Sequence, residues 1–507
     1  MSGPCSLAID QGTTNTKVLA VDQAGTTVAV ATERVALDFP RPGWAESDPT
    51  SIWKSVTSAI EHCLSQSPDT TISSIGLCNQ RESVVAWERS SGQPLGPLVS
   101  WQCTRGSALC DSLDVPATRS MVSARTGLGL EPMFSASKMR WLLDSVPRGA
   151  ARAAAGEICL GTVDSWLLWN LTDGRTFGTD HTNASRTLLF GLAELDWNLE
   201  LLELFGVPRV ALPSISASAA VHGECSSASL GRQLRGTVIG AVLGDSHAAL
   251  VGHGAFDAGS VKASFGTGSS VLAPTAGLVS SPSLSSTVAW SRRCEDDREV
   301  RYAIEGNIYA TGAALEWTAK LLGLGTEVAD LERLATTCAD AGGVVLVPAF
   351  AGLGAPHWDA HARGLISGLT LGASRAELAR AAFECVAHQV ADVIDAVTET
   401  LGVDQRLAVH ADGGAARSDL VARMVADLAD VELLRGEEAE VAAVGAAHFA
   451  GLTGGLWTSL DELGDLPRRT TRVAPTLTDR DRREARSRWA YAIEQVSSGQ
   501  DRAHGNT

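Results

Sequence analysis

Short apolar runs alternate with amphipathic segments along most of the chain, and many of these runs end on a polar or acidic residue. Runs of this length predict buried strands, and they lie at 7–9, 18–21, 75–78, 84–87, 98–101, 237–243 and 344–348. Helical periodicity predicts helices over 51–64, 135–143, 315–322, 377–401, 439–451 and 479–496, followed by a polar, disordered end. Strands that alternate with helices in this way indicate stacked α/β layers.

The stretch LAIDQGTTNTKVLAVDQAG near the N-terminus predicts two buried strands joined by a tight turn. Gly12 lets the backbone bend closely around a ligand, and the amides and hydroxyls of Thr13 and Thr14 are suited to donate to phosphate oxygens. Asp10 ends the first strand, where a carboxylate suits Mg²⁺ beside phosphates, and Lys17 adds a positive charge. An ordinary hairpin with a polar turn remains the alternative, because short glycine motifs are weak signals.

A second copy of this pattern strengthens the interpretation. The stretch SFGTGSSVLA, residues 264–273, again reads as a strand, a Gly-Thr-Gly turn and a strand. Two such hairpins predict two similar halves that face each other across one nucleotide. A third element, residues 407–428, is a strand, then Asp412-Gly413-Gly414, then an amphipathic helix whose N-terminus favours an anion or a polar ring. We place the domain boundary before the small, polar connector 255–259, which gives domains 1–254 and 255–507.

Composition narrows the class of protein. The 507 residues are 45% hydrophobic and 20% charged, with a formal net charge of −17, as in ordinary globular proteins. An acidic balance argues against nucleic acid, which requires a basic surface. The ten cysteines show no CxxC spacing, which favours buried thiols in a reducing cytosol. Neither a signal peptide nor a run long enough to span a membrane is recognisable, so we expect a cytoplasmic protein.

Polar groups with chemical potential follow several predicted strands, which is where open α/β sheets bind ligands. Arg81 is only a donor and ionised Glu82 only an acceptor, so the pair suits neighbouring hydroxyls of a polyol. Trp101 suits the apolar C–H face of such a ligand. Asp245 would then accept the proton of the attacking hydroxyl, and Asp10 would lie with the metal and the phosphates. The alternatives are a surface ion pair for Arg81 and Glu82 and a helix N-cap for Asp245.

Three histidines are weaker candidates. His357 and His361 lie four residues apart in HWDAH, but the neighbouring proline and tryptophan favour a loop, and no third metal ligand is evident. His247 lies beside the predicted base and either lines the pocket or is a buried imidazole. The sequence contains no GxSxG elbow, no GxxxxGK[ST] loop and no protein kinase motif set.

At this point the chain is seen to resemble the FGGY family of carbohydrate kinases, and its glycerol kinase branch most of all. The resemblance spans about residues 7–463 and rests on the stretches DQGTT, PGWAESDP, NQRE, WQC, GTVDSWLLW, TNASRT, GTG, PAFAGLGAPHWD and DGGA. Two further stretches, residues 133–144 and 364–384, resemble the two signatures of the family. Together these motifs are highly specific.

The resemblance implies a fold, a cofactor and a set of site residues. The fold is two ribonuclease H-like, actin-like ATPase domains around a central cleft, with Mg-ATP as donor and a terminal hydroxyl of a polyol or ketose as acceptor. Matching positions imply nucleotide contacts by Thr13, Thr14, Asn15, Thr267, Gly312, Glu316, Gly414 and Ser418, with Lys17 near the phosphates. Acceptor contacts are implied for Arg81, Glu82, Trp101 and Asp245, with Asp245 as the base and Asp10 at the metal.

Three acceptor positions depart from the glycerol kinase pattern. Met133 stands where that branch has a tyrosine, Ser246 replaces a glutamine, and Ser270 replaces a phenylalanine that packs on the carbon chain. Loss of two aromatic walls predicts a wider pocket, and hence an acceptor of four or more carbons.

Alternative functions stay open at this point. One is a pentulose kinase of the same family, and another is a non-catalytic actin-like sensor of nucleotide and sugar, against which the retention of Asp10 and Asp245 argues. The expected partners are a small neutral polyol or sugar and a second copy of the chain in a homodimer, without nucleic acid or membrane.

Overall fold

The structure is a computed structural model that describes residues 3–293, 298–403 and 405–503, with backbone alone over 498–503. The strands of this described part are β1 Cys5–Gln11, β2 Asn15–Asp22, β3 Thr27–Arg34, β4 Glu46–Ser47, β5 Ile72–Asn79, β6 Val84–Glu88, β7 Leu98–Val99, β8 Ile158–Thr162, β9 Gly178–Asp180, β10 Phe190–Gly191, β11 Asp196–Trp197, β12 Ser214–Ser216, β13 Ala219–Glu224, β14 Val238–Gly244, β15 Val261–Phe265, β16 Ser269–Thr275, β17 Ser285–Arg293, β18 Arg298–Ile308, β19 Val345–Val347, β20 Leu365–Ser367, β21 Ala408–Asp412, β22 Glu432–Gly436 and β23 Thr470–Val473.

The α-helices of the same residues are α1 Pro49–Ser65, α2 Ser107–Leu113, α3 Pro116–Thr126, α4 Ser135–Ser145, α5 Gly149–Ala154, α6 Val163–Leu171, α7 His181–Ala184, α8 Leu199–Phe205, α9 Asp245–Gly252, α10 Gly312–Leu321, α11 Val328–Ala335, α12 Arg375–Leu401, α13 Asp419–Ala429, α14 Val441–Thr453, α15 Leu460–Gly464 and α16 Asp479–Ala503. Short 3₁₀ turns lie at Arg209–Ala211, Arg232–Leu234 and Ala415–Arg417.

Helix ends follow the local chemistry of the sequence. Asp48 caps α1 by accepting from the first amides of the helix, and Pro49 occupies the first helical position, where no backbone donor is needed. Ser374 and Glu377 form a reciprocal capping box at the start of α12, and Gly402 ends that helix in the left-handed conformation.

Thirteen strands form one sheet in the order β23-β22-β21-β15-β16-β18-β17-β13-β14-β5-β1-β2-β3. In the first half, β1 pairs antiparallel with β2 and parallel with β5, which pairs parallel with β14. In the second half, β15 pairs antiparallel with β16 and parallel with β21, which pairs parallel with β22. Both predicted hairpins are therefore formed, and each lies beside a parallel strand, as expected of two similar halves.

Helix α14 belongs to the second half by sequence and to the first by contact. A side chain added at Gly445 would lie 1.8 Å from the carbonyl oxygen of Ala248 on α9, and one added at Gly76 on β5 would lie 2.2 Å from that of Ala446. Such approach is possible only because both positions lack a Cβ. The division of the chain at residue 254 stays a prediction. Helix α14 follows this division in the sequence but packs against elements that precede it.

Most predicted elements are present, and two expectations were wrong. The strand expected over 98–101 ends at Val99, because Ser100 and Cys103 close a turn that directs Trp101 toward the cleft. The polar end expected after residue 496 is helical to Ala503, and residues 504–507 lie outside the described part. Helix α16 is anchored upstream by Trp489, which is buried.

The other two sequence expectations concern cysteines and membranes. Nine cysteines lie in the described part; all are free thiols and eight of them are buried, as predicted. The tenth, Cys294, lies outside the described residues. No described helix combines the length and the apolar character that crossing a membrane requires.

Candidate active site

Two aspartates meet at the carboxyl ends of neighbouring strands. Asp10 lies opposite Cys78 in the register of β1 and β5, and Gly244 lies opposite Asn79 in that of β14 and β5. Asp245 begins α9 directly after β14, so the two carboxylates flank the end of β5. Burial, and then the negative charge of Asp245, raise the pKa of Asp10 to about 7.

A cavity of about 370 Å³ opens beside Asp245 between the two halves, and Asp10 does not line it. Of the site residues predicted from the sequence, those that line it are Thr13, Thr14, Arg81, Glu82, Trp101, Met133, Asp245, Ser246, Thr267 and Ser270. The structure thus brings the first phosphate hairpin, the acceptor positions and the second hairpin to one cleft.

A buried ionic network lies behind the wall of the cavity that Arg81 and Glu82 line. Glu305 lies between two guanidinium groups, 2.8 Å from Arg81 and 2.7 Å from Arg186. Arg186 also donates to Glu82 over 2.7 Å. Burial acts to raise the pKa of Glu305, but the two arginines hold it well below its ordinary value. The surface ion pair considered for Arg81 and Glu82 was therefore wrong, since both side chains are buried and joined through this network.

Sequence reasoning missed three members of this network: Arg186, Glu305 and Asn307. Arg186 donates to the side-chain oxygen of Asn307 over 3.1 Å, and Asn307 donates to Glu305 over 3.3 Å. The available signal was polarity within an apolar strand, because the fully buried Glu305 and the nearby Asn307 both lie on β18. A buried carboxylate requires a partner charge, which predicts the arginines but does not identify them.

Asp245 is not the N-cap considered for it. Gly244 occupies the cap, and among the residues that the structure describes the Asp245 side chain accepts only from the adjacent amide of Ser246, over 2.6 Å. Its side chain is 44% exposed, toward the cleft, with the Nε of Arg81 at 3.4 Å. Burial of its surroundings raises the pKa of Asp245, and the charge of Arg81 opposes the rise. This carboxylate is the acid of the cleft that remains open to a ligand.

Trp101 and His247 are placed differently with respect to the cavity. The indole N–H of Trp101 donates to the hydroxyl of Thr13 over 3.0 Å, which joins the acceptor wall to the phosphate turn. His247 is fully buried, lies 3.3 Å from the hydroxyl of Thr287, and does not line the cavity. Burial lowers the pKa of His247 well below its ordinary value. Of the two alternatives for this residue, a pocket-lining side chain and a buried imidazole, the structure shows the second.

The second hairpin is held by backbone contacts to α10. The amide of Gly312 donates to the carbonyl of Gly266 over 3.0 Å, and that of Thr311 donates to the carbonyl of Thr267 over 2.9 Å. A Cβ at Gly413 would lie 2.4 Å from the carbonyl oxygen of Phe265, so the Gly413-Gly414 turn packs on the same hairpin.

The remaining predicted nucleotide residues lie around this region or at the first hairpin. Glu316 is exposed on α10, and Ser418 caps α13 while donating to Glu332 over 2.7 Å. Asn15 donates to the hydroxyl of Thr14 over 3.2 Å. Lys17 lies 2.5 Å from Glu440, an acid just before α14. The nucleotide roles of these residues stay predictions.

The HWDAH segment is a loop, as expected. His357 lies 2.9 Å from Asp392 on α12. Among residues 3–293, 298–403 and 405–503, no group of three or more His, Cys, Asp or Glu side chains is placed to hold a metal ion. A metal in the cleft would therefore take most of its ligands from water and phosphate oxygens.

Comparison with known proteins identifies the family. Residues 5–252 match the N-terminal domain of the FGGY family of carbohydrate kinases, and residues 261–453 match its C-terminal domain. The chain belongs to the FGGY family. The resemblance noted in the sequence is confirmed, and the protein is an ATP-dependent carbohydrate kinase with an actin-like, ribonuclease H-like fold.

The similar proteins are named as kinases of two different acceptors, apulose and glycerol. The chain is 40% identical to an apulose kinase of Pectobacterium atrosepticum, covering 97% of this chain and 98% of that protein. It is 41% identical to a glycerol kinase of Bdellovibrio bacteriovorus, covering 97% and 99%. The crystal structure of Plasmodium falciparum glycerol kinase with ADP superposes with a TM-score of 0.89 at 29% identity, covering 98% and 99%.

FGGY kinases use ATP with Mg²⁺, and the cleft fits both. Besides burial, the negative charge of Asp245 raises the pKa of Asp10, and a divalent cation would relieve that repulsion. Mg²⁺ usually keeps several waters and takes one or two carboxylates plus phosphate oxygens, which agrees with a single acid, Asp10, on the phosphate hairpin. The turn at Gly268 leaves no room for a Cβ, which would lie 2.4 Å from the carbonyl oxygen of Ile308.

Proposed function

We propose that this kinase transfers the terminal phosphoryl group of ATP to a terminal hydroxyl of a ketose or polyol with four or more carbons, with Asp245 as general base. The observation that carries the proposal is the wall of the cleft. Ser246 and Ser270 line it where larger side chains would narrow it, and Asn307 lines it beside them. Small hydroxyls and an amide suit additional CHOH units, which need hydrogen-bond partners once buried.

The geometry supports Asp245 in the role of the base. It lies at a helix start in the cleft, its carboxylate makes no hydrogen bond beyond its own turn to any described residue, and it is open to a ligand. A base in this position takes the proton of the acceptor hydroxyl as the oxygen attacks the γ-phosphorus and ADP leaves. Proton acceptance by a positioned side chain contributes about 10²–10⁴-fold in rate.

The other residues of the cleft would position the two substrates and neutralise the charge of the phosphates. Asp10 would hold Mg²⁺, and the turns at Thr13 and Thr267 approach the phosphates from the two halves. Arg81 is fixed by Glu305 at 2.8 Å, so its remaining donors meet the acceptor in a preset orientation. Catalysis of phosphoryl transfer is largely positioning and charge stabilisation, and closure of the cleft would exclude water as a competing acceptor.

The role of the base is tested by Asp245→Asn, which keeps the size of the side chain and removes the proton acceptor. We expect turnover to fall at least about a hundredfold, with the affinity for ADP changed less than twofold by calorimetry. Asp257→Asn is the matched control, since Asp257 is an exposed acid outside the cleft, and should turn over normally. Near-normal turnover of Asp245→Asn would contradict the assignment.

The acceptor is tested by kcat/KM for glycerol and for four- and five-carbon polyols and ketoses. We expect glycerol to be the weakest, and Ser270→Phe combined with Met133→Tyr to improve glycerol relative to the longer acceptors. A preference of the unmodified protein for glycerol over all longer acceptors would overturn the wide-pocket proposal and leave a glycerol kinase.

A further inference from the structure

Two buried glutamines hold the carbonyl group at the turn of the first hairpin. Gln11 is the last residue of β1 and Gln80 follows β5, and both side chains are buried. The Nε2 of Gln11 donates to the carbonyl oxygen of Gly12 over 2.7 Å, and the Nε2 of Gln80 donates to the same oxygen over 3.2 Å. Gln80 also donates to the Oε1 of Gln11 over 3.1 Å. Side-chain amides therefore engage both lone pairs of the Gly12 carbonyl.

The direction of the Gln80 amide is fixed from its other end. The backbone amide of Trp101 donates to the hydroxyl of Ser83 over 3.0 Å, and that hydroxyl donates to the Oε1 of Gln80 over 2.8 Å. A reversed Gln80 amide would place its oxygen against the Gly12 carbonyl, and two acceptors form no hydrogen bond. Gln80 therefore presents its NH₂ group to the turn.

These contacts set the orientation of the peptide between Gly12 and Thr13. In a planar trans peptide the carbonyl and the following N–H point to opposite sides, so the N–H of Thr13 points away from the two glutamines. Toward the residues that the structure describes, the amides of Thr13 and Thr14 donate no hydrogen bond, and both residues line the cavity. Glycine lets this peptide rotate at little cost, and rotation would turn an oxygen, in place of an N–H, toward a phosphate.

We infer that Gln80, together with Gln11, is a positioning residue for phosphoryl transfer, which holds the peptide after Gly12 so that the N–H of Thr13 stays directed at a phosphate oxygen. A preset N–H that meets an anion forms a charge-assisted hydrogen bond and needs no reorganisation during the reaction. Gln80 does not line the cavity, so it acts through the turn and touches neither substrate. The inference rests on the proposed placement of the phosphates at this turn.

The first test is Gln80→Met, which removes the donor and nearly keeps the volume of the side chain. We expect kcat/KM for ATP to fall about tenfold and the KM for the acceptor to change less than twofold, measured with the acceptor that the unmodified protein uses best. The matched control is Gln66→Met, because the exposed Gln66 amide donates to the carbonyl of Val30 outside the cleft; its kinetics should be unchanged. An unchanged kcat/KM for ATP in Gln80→Met, or an equal loss toward both substrates, would overturn the inference.

Gln80→Glu adds a readout that depends on pH. A protonated carboxyl at this position still donates to the Gly12 carbonyl, whereas an ionised one only accepts and would also draw the Gln11 amide away from that carbonyl. We therefore expect kcat/KM for ATP, divided by that of the unmodified protein at the same pH, to rise at least about threefold from pH 9 to pH 6. The same ratio for Gln80→Met should not depend on pH. A ratio for Gln80→Glu that stays low and flat would overturn the inference, also if Gln80→Met fails to fold.

The inference and the proposed function fail in different ways. The proposed function is judged by Asp245→Asn and by the acceptor panel, both with an unmodified turn. The inference is also judged without any acceptor, by calorimetry with Mg²⁺ and a non-hydrolysable ATP analogue, whose affinity should fall about tenfold in Gln80→Met. Full affinity in that variant would overturn the inference and leave the proposed function standing. Weakened affinity, combined with no transfer to any acceptor by the unmodified protein, would overturn the proposed function alone.

Discussion

The hairpin of β1 and β2 and the hairpin of β15 and β16 pair their strands alike, yet their turns differ in what they offer. The first carries an acid and a cation, Asp10 and Lys17, which lie opposite each other in its register. The second carries no charge on its turn, and its carbonyls at Gly266 and Thr267 are occupied by amides from the start of α10.

The difference indicates a division of labour between similar halves. The first hairpin acts through side chains, whose charge and protonation can be altered one atom at a time. The second acts through its backbone, whose shape is locked by the strand and helix beside it. Substitutions that remove a functional group should therefore affect catalysis at the first hairpin and little at the second, and substitutions that add bulk should do the reverse.

The largest expected effect is that of Asp10→Asn set against Thr267→Ala. Loss of the carboxylate should lower kcat by about a hundredfold, since the proposed Mg²⁺ site would lose a negatively charged ligand. Thr267→Ala keeps the backbone of the turn and should lower kcat less than about fivefold. Steady-state kinetics at saturating Mg-ATP measure both. Equal losses in the two variants would contradict the division of labour.

Adding a methyl group to a glycine of each turn should have the larger effect at the second hairpin. A Cβ at Gly268 would lie 2.4 Å from the carbonyl oxygen of Ile308, whereas one at Gly12 would lie 3.2 Å from that of Asn15. We expect Gly268→Ala to raise the KM for ATP about tenfold and to destabilise the fold by about 1–3 kcal/mol, and Gly12→Ala to change both less. Kinetics and thermal unfolding report the two quantities. A larger loss in Gly12→Ala would show that the first turn is the tighter one.

The sequence predicted these hairpins well because a strand, a glycine turn and a strand are local features. Ten of the residues that it singled out through family motifs line the cavity, and their roles stay predictions. The sequence did not predict the buried ionic network, because Arg186 and Glu305 lie far apart in the chain. Only the tertiary fold shows that their side chains meet at 2.7 Å. The hydrogen bond that Lys262 on β15 donates to the hydroxyl of Ser246 on α9 could not be predicted for the same reason.

The pH dependence of Mg²⁺ binding tests the same difference between the two hairpins. Asp10 has a pKa raised to about 7, and in its proposed role the ionised form would hold Mg²⁺. Mg²⁺ affinity should therefore be nearly full at pH 8, about half of that at pH 7 and about tenfold lower at pH 6, because protons compete for the carboxylate. Calorimetry with Mg-ADP across this range should show the dependence in Thr267→Ala, whose turn carries no titrating group, and its absence in Asp10→Asn. A flat profile in the unmodified protein would place Asp10 away from the metal.

The smallest expected effect concerns Lys17. Its ammonium pairs with Glu440 at 2.5 Å, with both side chains partly exposed, and such pairs contribute little to stability. Lys17→Met should raise the KM for ATP about twofold to threefold and leave the melting temperature nearly unchanged. A tenfold change in KM would indicate direct contact with the phosphates.

The placement of α14 has a consequence for how the protein is made. A ribosome releases β1 and β5 early and α14 more than 360 residues after β5, yet α14 packs against both strands. The first half therefore cannot bury that face of its sheet until most of the chain has been synthesised. During that interval the exposed apolar face is a natural client surface for chaperones, and a fragment that stops at residue 254 would keep it permanently.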